Sequence, residues 1–192
     1  MAQDEILKTI VAPDKTMVLI WDVQNMLVDK IYNKTEFLVH NNEVLSKARE
    51  KQIPVSFSKI TPLPQQFESP ARKYFGAKRM AALKSTPEGF DLAIEPKAGE
   101  IVIPKNTASI FIGTNFELLM RNAGLTTIVF TGIATEIGVE SSARDALNRG
   151  FFPVIVTDAV SSYDQEAHNR SLTNMKNMMI LLTTQELLDL WQ

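Results

Sequence analysis

The chain alternates short apolar stretches with longer segments that have the character of helices. Six of the apolar stretches have the length and the β-branched content of buried strands. Regular alternation of strands with helices predicts a parallel sheet that is covered by helices on both faces. The predicted strands are Met17–Val23, Val55–Ile60, Glu100–Pro104, Thr127–Thr131, Phe152–Asp158 and Met178–Thr183.

The segments between these strands predict five helices, and glycines at positions 124 and 150 are placed to end two of them. The fold class is therefore α/β, a three-layer α-β-α arrangement around a Rossmann-like six-stranded parallel sheet. The helices are expected at Thr35–Lys51, Asn115–Ala123, Thr135–Arg149, Asp164–Asn174 and Thr184–Trp191.

One segment, Thr61–Gly99, does not follow this alternation. It contains five prolines and no clear strand, and it is longer than a simple connection needs to be. Such an excursion either covers a pocket or forms a surface ornament or an oligomer contact.

Length and composition describe an ordinary globular protein. The 192 residues, 45% hydrophobic and 22% charged, suit a single domain spanning 1–192. The net charge is -2 without a dense Lys/Arg block, so neither nucleic-acid binding nor membrane binding is predicted. Acidic residues near the N-terminus argue against a signal peptide and favour a cytoplasmic location.

The chain contains no cysteine. This excludes disulfides, thiolate metal ligands and a cysteine nucleophile. Any chemistry must use other side chains.

Candidate chemistry lies at the carboxyl ends of three predicted strands, where doubly wound sheets place their ligands. Asp22 ends an apolar strand, and a buried aspartate has a perturbed pKa unless it only caps backbone groups. Lys105 follows the third strand, where a lysine is either catalytic or a solvated end residue. The turn over 132–138 either presents backbone N–H groups to an anion or is simply a tight turn.

Taken together, these segments resemble the isochorismatase-like hydrolase family, also called the cysteine hydrolase superfamily. The resemblance runs from about Val18 to Leu188. It rests on four motifs in the family's order, which are Asp22–Asn25 (DVQN), Lys105 with Ser109, Phe111, Gly113 and Thr114, then TGIAT followed by Asp145-Ala146, and VTDAVSSYDQEAH at Val156–His168.

The resemblance implies a six-stranded parallel sheet and, in the amidase members, an Asp-Lys-Cys triad. Asp22 and Lys105 match two members of that triad. Gly138 stands at the nucleophile's position, which rules out the usual thiolate catalysis. True isochorismatases resemble this chain at the turn, and the resemblance then implies hydrolysis of a vinyl ether without a covalent intermediate.

In that mechanism Asp22 is the general acid, Lys105 binds a substrate carboxylate or fixes Asp22, and Gly138 leaves room for substrate or water. Lys105 lowers the pKa of Asp22 whereas burial raises it, so proton donation requires that desolvation or a bound anion prevails. The remaining substrate-binding candidates are Gln24, Trp21, Arg79, Phe111, Ile133, Ala134 and Ile137. Arg72 is the alternative to Arg79 as the arginine of the excursion that meets a carboxylate, and solvated surface is the other interpretation of both.

No metal site and no cofactor are predicted, because the chain reads SFSKITPLP where metal-binding relatives carry histidine ligands. His40 falls within a predicted helix, and a packing or hydrogen-bonding role is expected for His168. Ser141 and Ser142 lie about one helical turn beyond the nucleophile position and are expected to point away from the site. The resemblance also implies a non-proline cis peptide bond at Ile133-Ala134.

Three hypotheses remain open. The first is a cofactor-independent hydrolase of the isochorismatase type, and the second is another hydrolase of the superfamily that uses water activated by Asp22. The third is a member without catalysis that binds a metabolite or partner. A pocket lined by Trp21, Phe111 and Ile137 would favour the first two, and a side chain filling it would favour the third. A small-molecule ligand and a homo-oligomer are expected.

Overall fold

A computed structural model describes residues 2–75 and 86–192. Six strands form one sheet in the order β3-β2-β1-β4-β5-β6, and all neighbouring strands run parallel. The predicted α/β class is thus confirmed. The strands are β1 Thr16–Trp21, β2 Val55–Ile60, β3 Ile101–Lys105, β4 Thr127–Ile133, β5 Phe152–Ser161 and β6 Ile180–Leu182.

Helices lie on both faces of the sheet, and all five predicted ones are present. Among the helices bounded within the described residues, two more were not predicted, α1 before the first strand and α2, a single turn. The bounds are α1 Ala2–Ile10, α2 Asn25–Val28, α3 Lys34–Glu50, α4 Phe116–Asn122, α5 Glu140–Asn148, α6 Gln165–Met175 and α7 Thr184–Leu190. None of the described helices has both the length and the apolar character needed to cross a membrane.

The predicted helix Thr135–Arg149 is divided in the structure. Its first part, Thr135–Val139, is a π-helical turn, and α5 follows it. Gly150 ends α5 with a positive φ of 84°, as expected of a glycine after a helix. The turn therefore separates the end of β4 from a regular helix.

Strand β1 lies at the centre of the sheet and alternates its side chains between two cores. Val18 and Ile20 face the core that α3 and α7 cover. Leu19 and Trp21 face the core that α4 and α5 cover. Burial on both faces explains why this strand is an uninterrupted apolar run in the sequence.

The excursion over 61–99 contains no strand within its described parts, 61–75 and 86–99. It forms short 3-10 turns at Gln65–Phe67 and Pro87–Phe90. Its end returns to the sheet, where Leu92 makes an isolated antiparallel bridge with Gln24. The excursion therefore starts at β2 and comes back to the segment that follows β1.

Candidate active site

Asp22 follows β1 at the carboxyl edge of the sheet, where the strand order reverses between β1 and β4. This is where doubly wound sheets bind ligands. The residue is only 3% exposed. Its φ of 47° lies in the left-handed region, which aspartate tolerates better than most residues do. The backbone thus bends sharply at the position that carries the carboxyl group.

Asp22 and Lys105 form a buried pair. Lys105 is the last residue of β3, and its Nζ lies 2.6 Å from Oδ2 of Asp22. Ser58 of β2, the strand between them, donates its hydroxyl to Oδ1 of Asp22 at 2.6 Å. The backbone N–H of Asp22 in turn donates to Oγ of Ser58 at 3.0 Å. Three adjacent strands therefore hold one carboxyl group.

Burial dominates the electrostatics of this pair. Desolvation raises the pKa of the Asp22 carboxyl, although Lys105 and the Ser58 hydroxyl act in the opposite direction. Desolvation also lowers the pKa of Lys105, against the attraction of Asp22. Because burial penalises both charged forms, the neutral pair lies closer in free energy to the ion pair than it does in water.

Trp21 forms the other wall around Lys105. The ammonium Nζ lies 4.0 Å from the centroid of the indole ring, a distance at which a cation is attracted to the ring face. The same Nζ donates to the backbone carbonyl of Thr107 at 3.3 Å. Lys105 is thus held by a carboxylate, a carbonyl and an aromatic face.

Gly138 lies in the π-helical turn with the indole of Trp21 directly against it. A β-carbon at this position would come within 2.0 Å of Nε1 of Trp21. The backbone N–H groups of Ile137, Gly138 and Val139 all donate to the carbonyl of Ala134. Those three groups therefore close the turn on itself, which is the tight-turn interpretation of this segment.

The peptide bond between Ile133 and Ala134 is cis, as the resemblance implied. Ile133 is 1% exposed and Ala134 is 8% exposed. Both join the core on the α3 side of the sheet, and Ile137 packs against the same core. These three predicted substrate-binding residues therefore lie on one side of the sheet.

Phe111 lies in the other core, together with Trp21. Its ring contacts are with Phe116 and Phe151, and the guanidinium of Arg149 lies over it. Phe111 and Ile137 thus belong to different cores, and the pocket expected between Trp21, Phe111 and Ile137 stays a prediction. The side chain that fills the space beside Gly138 is Trp21 itself.

Gln24 has a fully buried side chain. Its amide nitrogen donates to the carbonyl of Phe90 at 2.8 Å, and its amide oxygen accepts the N–H of Ile60 at 2.8 Å. These bonds fasten the end of β2 and the returning excursion to the loop after β1. In this structure the side chain of Gln24 has a structural role, because it connects the segments that surround Asp22.

Arg79, predicted to bind substrate, lies outside the described residues. Arg72, the alternative, forms an ion pair with Glu68 at 3.2 Å, and its positive charge also lowers the pKa of Lys105. The described part of the excursion thus brings a cation close enough to Lys105 to act on it.

The remaining polar candidates have structural contacts. Nδ1 of His168 lies 2.8 Å from the Thr135 hydroxyl, and burial lowers the pKa of this imidazole. Ser141 and Ser142 donate to backbone carbonyls from α5. His40 lies in α3, as predicted. Within 2–75 and 86–192, no three His, Asp or Glu side chains are grouped so that they could hold a metal ion.

Ser58 is the site residue that sequence reasoning missed. It lies in the buried strand VSFSKI, and nothing in that pattern distinguishes a serine that contacts a carboxyl group from one that contacts the backbone. The available signal was a polar residue near the carboxyl end of the strand that neighbours Asp22.

The doubly wound fold and the buried acid–lysine pair at its switch point define a class of α/β proteins with a ligand site at the carboxyl edge of the sheet. A family model described as the isochorismatase domain matches residues 16–186. The chain belongs to the isochorismatase family, which confirms the resemblance.

Similar proteins agree with this assignment. The chain is 30% identical to the uncharacterized isochorismatase family protein YwoC of Bacillus subtilis over 164 residues, 82% of this chain and 84% of that protein. It is 27% identical to the ureidoacrylate amidohydrolase RutB of Pseudomonas savastanoi pv. phaseolicola, over 77% of this chain and 71% of the relative. The crystal structure of a cysteine hydrolase from Pseudomonas syringae pv. phaseolicola superposes with a TM-score of 0.84 at 17% identity, over 95% of this chain and 94% of that one, which shows the shared fold.

Proposed function

We propose that this protein is a hydrolase that cleaves a vinyl ether such as isochorismate without a covalent intermediate and without a metal. The observation that carries the proposal is the buried Asp22, whose pKa burial raises, at a site where residue 138 has no side chain. Proton transfer is the chemistry that remains when the nucleophile is absent.

In the proposed reaction Asp22, as the acid, donates its proton to the terminal carbon of the vinyl ether. Water then adds to the resulting oxocarbenium ion, and the hemiketal collapses to pyruvate and the free alcohol. The carboxylate left on Asp22 is stabilised by the Lys105 ammonium and the Ser58 hydroxyl, which lie 2.6 Å from its two oxygens. The Asp22 carboxylate recovers a proton from the water molecule as it adds to the oxocarbenium ion, and the hemiketal hydroxyl proton passes to the departing alcohol oxygen when the hemiketal breaks down.

In this proposal the arginines of the excursion bind the carboxylate of a small substrate. Arg72 is supported by its effect on the pKa of Lys105, and Arg79 stays a prediction. The proposed contacts with the rest of the substrate come from the predicted residues that border the turn, above all Ala134 and Ile137. In this proposal Phe111 and Gln24 do not contact the substrate, and they only support the segments that surround it.

A second hydrolytic reaction has support from a relative. The 27% identical RutB is named for its action on ureidoacrylate, an amide-type substrate. Here the attacking group would be a water molecule activated by the carboxylate form of Asp22, because residue 138 is glycine. This alternative needs Asp22 ionised, whereas the vinyl-ether reaction needs it protonated.

Binding without catalysis is favoured by one specific observation. Trp21 is 1% exposed and occupies the space beside Gly138, so that space is taken by the protein itself and is closed to a substrate. A buried acid–lysine pair is costly to keep in a protein that only binds, which is why hydrolysis is proposed first.

The test is pyruvate release from isochorismate by the purified protein, beside ammonia release from ureidoacrylate. Asp22→Asn is compared with Asp189→Asn, an exposed aspartate on α7. Pyruvate release that is lost in Asp22→Asn and kept in Asp189→Asn supports the vinyl-ether reaction. Ammonia release that is lost in Asp22→Asn and kept in Asp189→Asn supports the amide reaction. If neither product rises above background, both reactions are contradicted and binding without catalysis is the remaining hypothesis.

A further inference from the structure

We infer that Trp21 is a positioning residue that both holds Lys105 and excludes any side chain at residue 138, so that it commits the site to chemistry without an enzyme nucleophile. This inference deepens the proposed function and rests on it only for the consequence in catalysis. Its evidence is steric and electrostatic.

Trp21 is fixed from two sides, by the end of β4 and by the turn that follows this strand. Its backbone pairs with Gly132 in the sheet register, and a β-carbon on Gly132 would lie 2.0 Å from the carbonyl oxygen of Trp21. Its indole meets Gly138 at the other end of the turn. Gly132 therefore packs against the backbone of Trp21, and Gly138 packs against its side chain.

The contact at Gly138 leaves no room for a side chain. A β-carbon there would lie 2.0 Å from Nε1, 2.3 Å from Cε2 and 2.5 Å from Cζ2 of Trp21. The turn cannot easily retreat, because three successive N–H groups from Ile137 to Val139 bind the carbonyl of Ala134. A side chain at residue 138 and the indole at residue 21 therefore exclude each other.

The same indole ring also supports Lys105. Nζ lies 4.0 Å from the ring centroid and 2.6 Å from Oδ2 of Asp22. A buried ammonium loses its hydration, and an aromatic face replaces part of it without adding a charge. Trp21 thus acts on the acid through Lys105, and it occupies the space next to the ammonium where a thiol at residue 138 would lie.

A double-mutant cycle tests the steric part. Leucine at residue 21 removes all three indole atoms that meet Gly138, so Trp21→Leu is combined with Gly138→Ala and thermal unfolding is followed. The expected result is that Gly138→Ala lowers Tm clearly in the Trp21 protein and much less in the Trp21→Leu protein. Equal losses of Tm in the two backgrounds would overturn the inference.

A second experiment tests whether residue 138 lies beside Lys105. It is informative even if the Gly138→Ala variant fails to fold. Because the chain has no cysteine, Trp21→Leu/Gly138→Cys contains a single thiol, and iodoacetamide alkylation reports its pKa. The matched control is Leu147→Cys, at a site on α5 that is 42% exposed.

The thiol at residue 138 is expected to be alkylated with a pH midpoint at least about one unit below that of the control, because the Lys105 ammonium stabilises the thiolate more than burial and the Asp22 carboxylate destabilise it. At neutral pH this corresponds to a thiolate fraction about five- to ten-fold higher. An equal midpoint in the two variants would contradict the placement beside Lys105. Neither experiment uses isochorismate, so the inference and the proposed reaction can fail separately.

Discussion

At the scale of single residues, the protonation of Asp22 depends on the groups that contact its two carboxyl oxygens. Asp22 has a different neighbour at each oxygen, Lys105 at Oδ2 and Ser58 at Oδ1. Both neighbours stabilise the carboxylate, and burial opposes them. Small changes at either neighbour are therefore expected to move the protonation of Asp22 without rearranging the sheet.

Ser58→Ala tests the weaker of these contacts. Loss of the hydroxyl removes a donor to the carboxylate, so the pKa of Asp22 is expected to rise further and the free energy of unfolding to fall by about 1–2 kcal/mol. Chemical denaturation and a carboxyl titration measure the two effects. Ser56→Ala is the control, because Ser56 is equally buried on β2 but donates to the carbonyl of Val18. A rise of the Asp22 pKa in both variants would refute the specific contact.

The Asp22–Lys105 pair is expected to be strongly non-additive. Lys105→Met leaves a buried carboxyl without its partner and should cost about 3–5 kcal/mol of stability. Asp22→Asn/Lys105→Met removes both charges and should recover much of that loss. Urea unfolding of the two single variants and the double variant measures the coupling. A double variant that loses the sum of the single losses would show that the pair is not coupled.

At the scale of elements, an ion pair joins the end of α3 to the start of β3. Nε and Nη2 of Arg49 lie 2.7 Å and 2.9 Å from the two carboxylate oxygens of Glu100. The N–H of Lys97 donates to the same carboxylate at 2.7 Å. Burial raises the pKa of Glu100, but these contacts outweigh burial and the net direction is down.

Glu100→Gln is therefore expected to lower stability in a pH-dependent way. A carboxyl whose pKa is depressed on folding contributes stability above its unfolded value of about 4.3, and this contribution is lost as the pH falls through the folded value. The variant should be less stable by about 1–2 kcal/mol at pH 7, and the difference should shrink below pH about 4. Denaturant unfolding at several pH values measures it. A difference that is independent of pH would contradict the assignment.

The elements also show what the sequence could predict. The central strands β1 and β4 were found because strands buried on both faces are continuous apolar runs. The edge strands β3 and β6 are only partly buried and were found from short apolar runs alone. The end of β5 was placed three residues early, since a polar Thr157-Asp158 step interrupts its apolar run before the strand ends at Ser161. Helix α2 was missed because a four-residue helix is too short to show a periodicity.

The site was predictable in part for a related reason. Asp22 directly follows β1 and Lys105 is the last residue of β3, so topology alone brings both to one edge of the sheet. The contact between Trp21 and Gly138 could not be predicted. Strand periodicity indicates the face of the sheet on which a side chain lies, but it does not indicate which residues of other elements that side chain contacts. The same limit applies to Phe111, whose motif position did not reveal that its ring packs against Phe151.

At the scale of the whole molecule, the fold concentrates its unusual features at one edge. A positive φ at Asp22, a cis bond at Ile133-Ala134 and a π-helical turn lie together at the carboxyl ends of β1 and β4. The register shift between β4 and β5, from Phe130 to Gly132, lies in the same half of the sheet. The other strand pairs keep a continuous register, and two apolar cores support the sheet from both faces. The regular part thus fixes the strand ends that carry Asp22 and Lys105. Assembly into a homo-oligomer stays a prediction.

The most direct test of the account is the protonation of Asp22 itself. A ¹³C NMR titration of the aspartate carboxyl signals, with Asp22→Asn to assign the signal of Asp22, measures its pKa in the folded protein. The account predicts a midpoint well above the ordinary aspartate value of about 3.9, since burial outweighs Lys105 and Ser58. A midpoint at or below that value would mean that Asp22 is a permanent carboxylate, and it would contradict the role of Asp22 as a general acid.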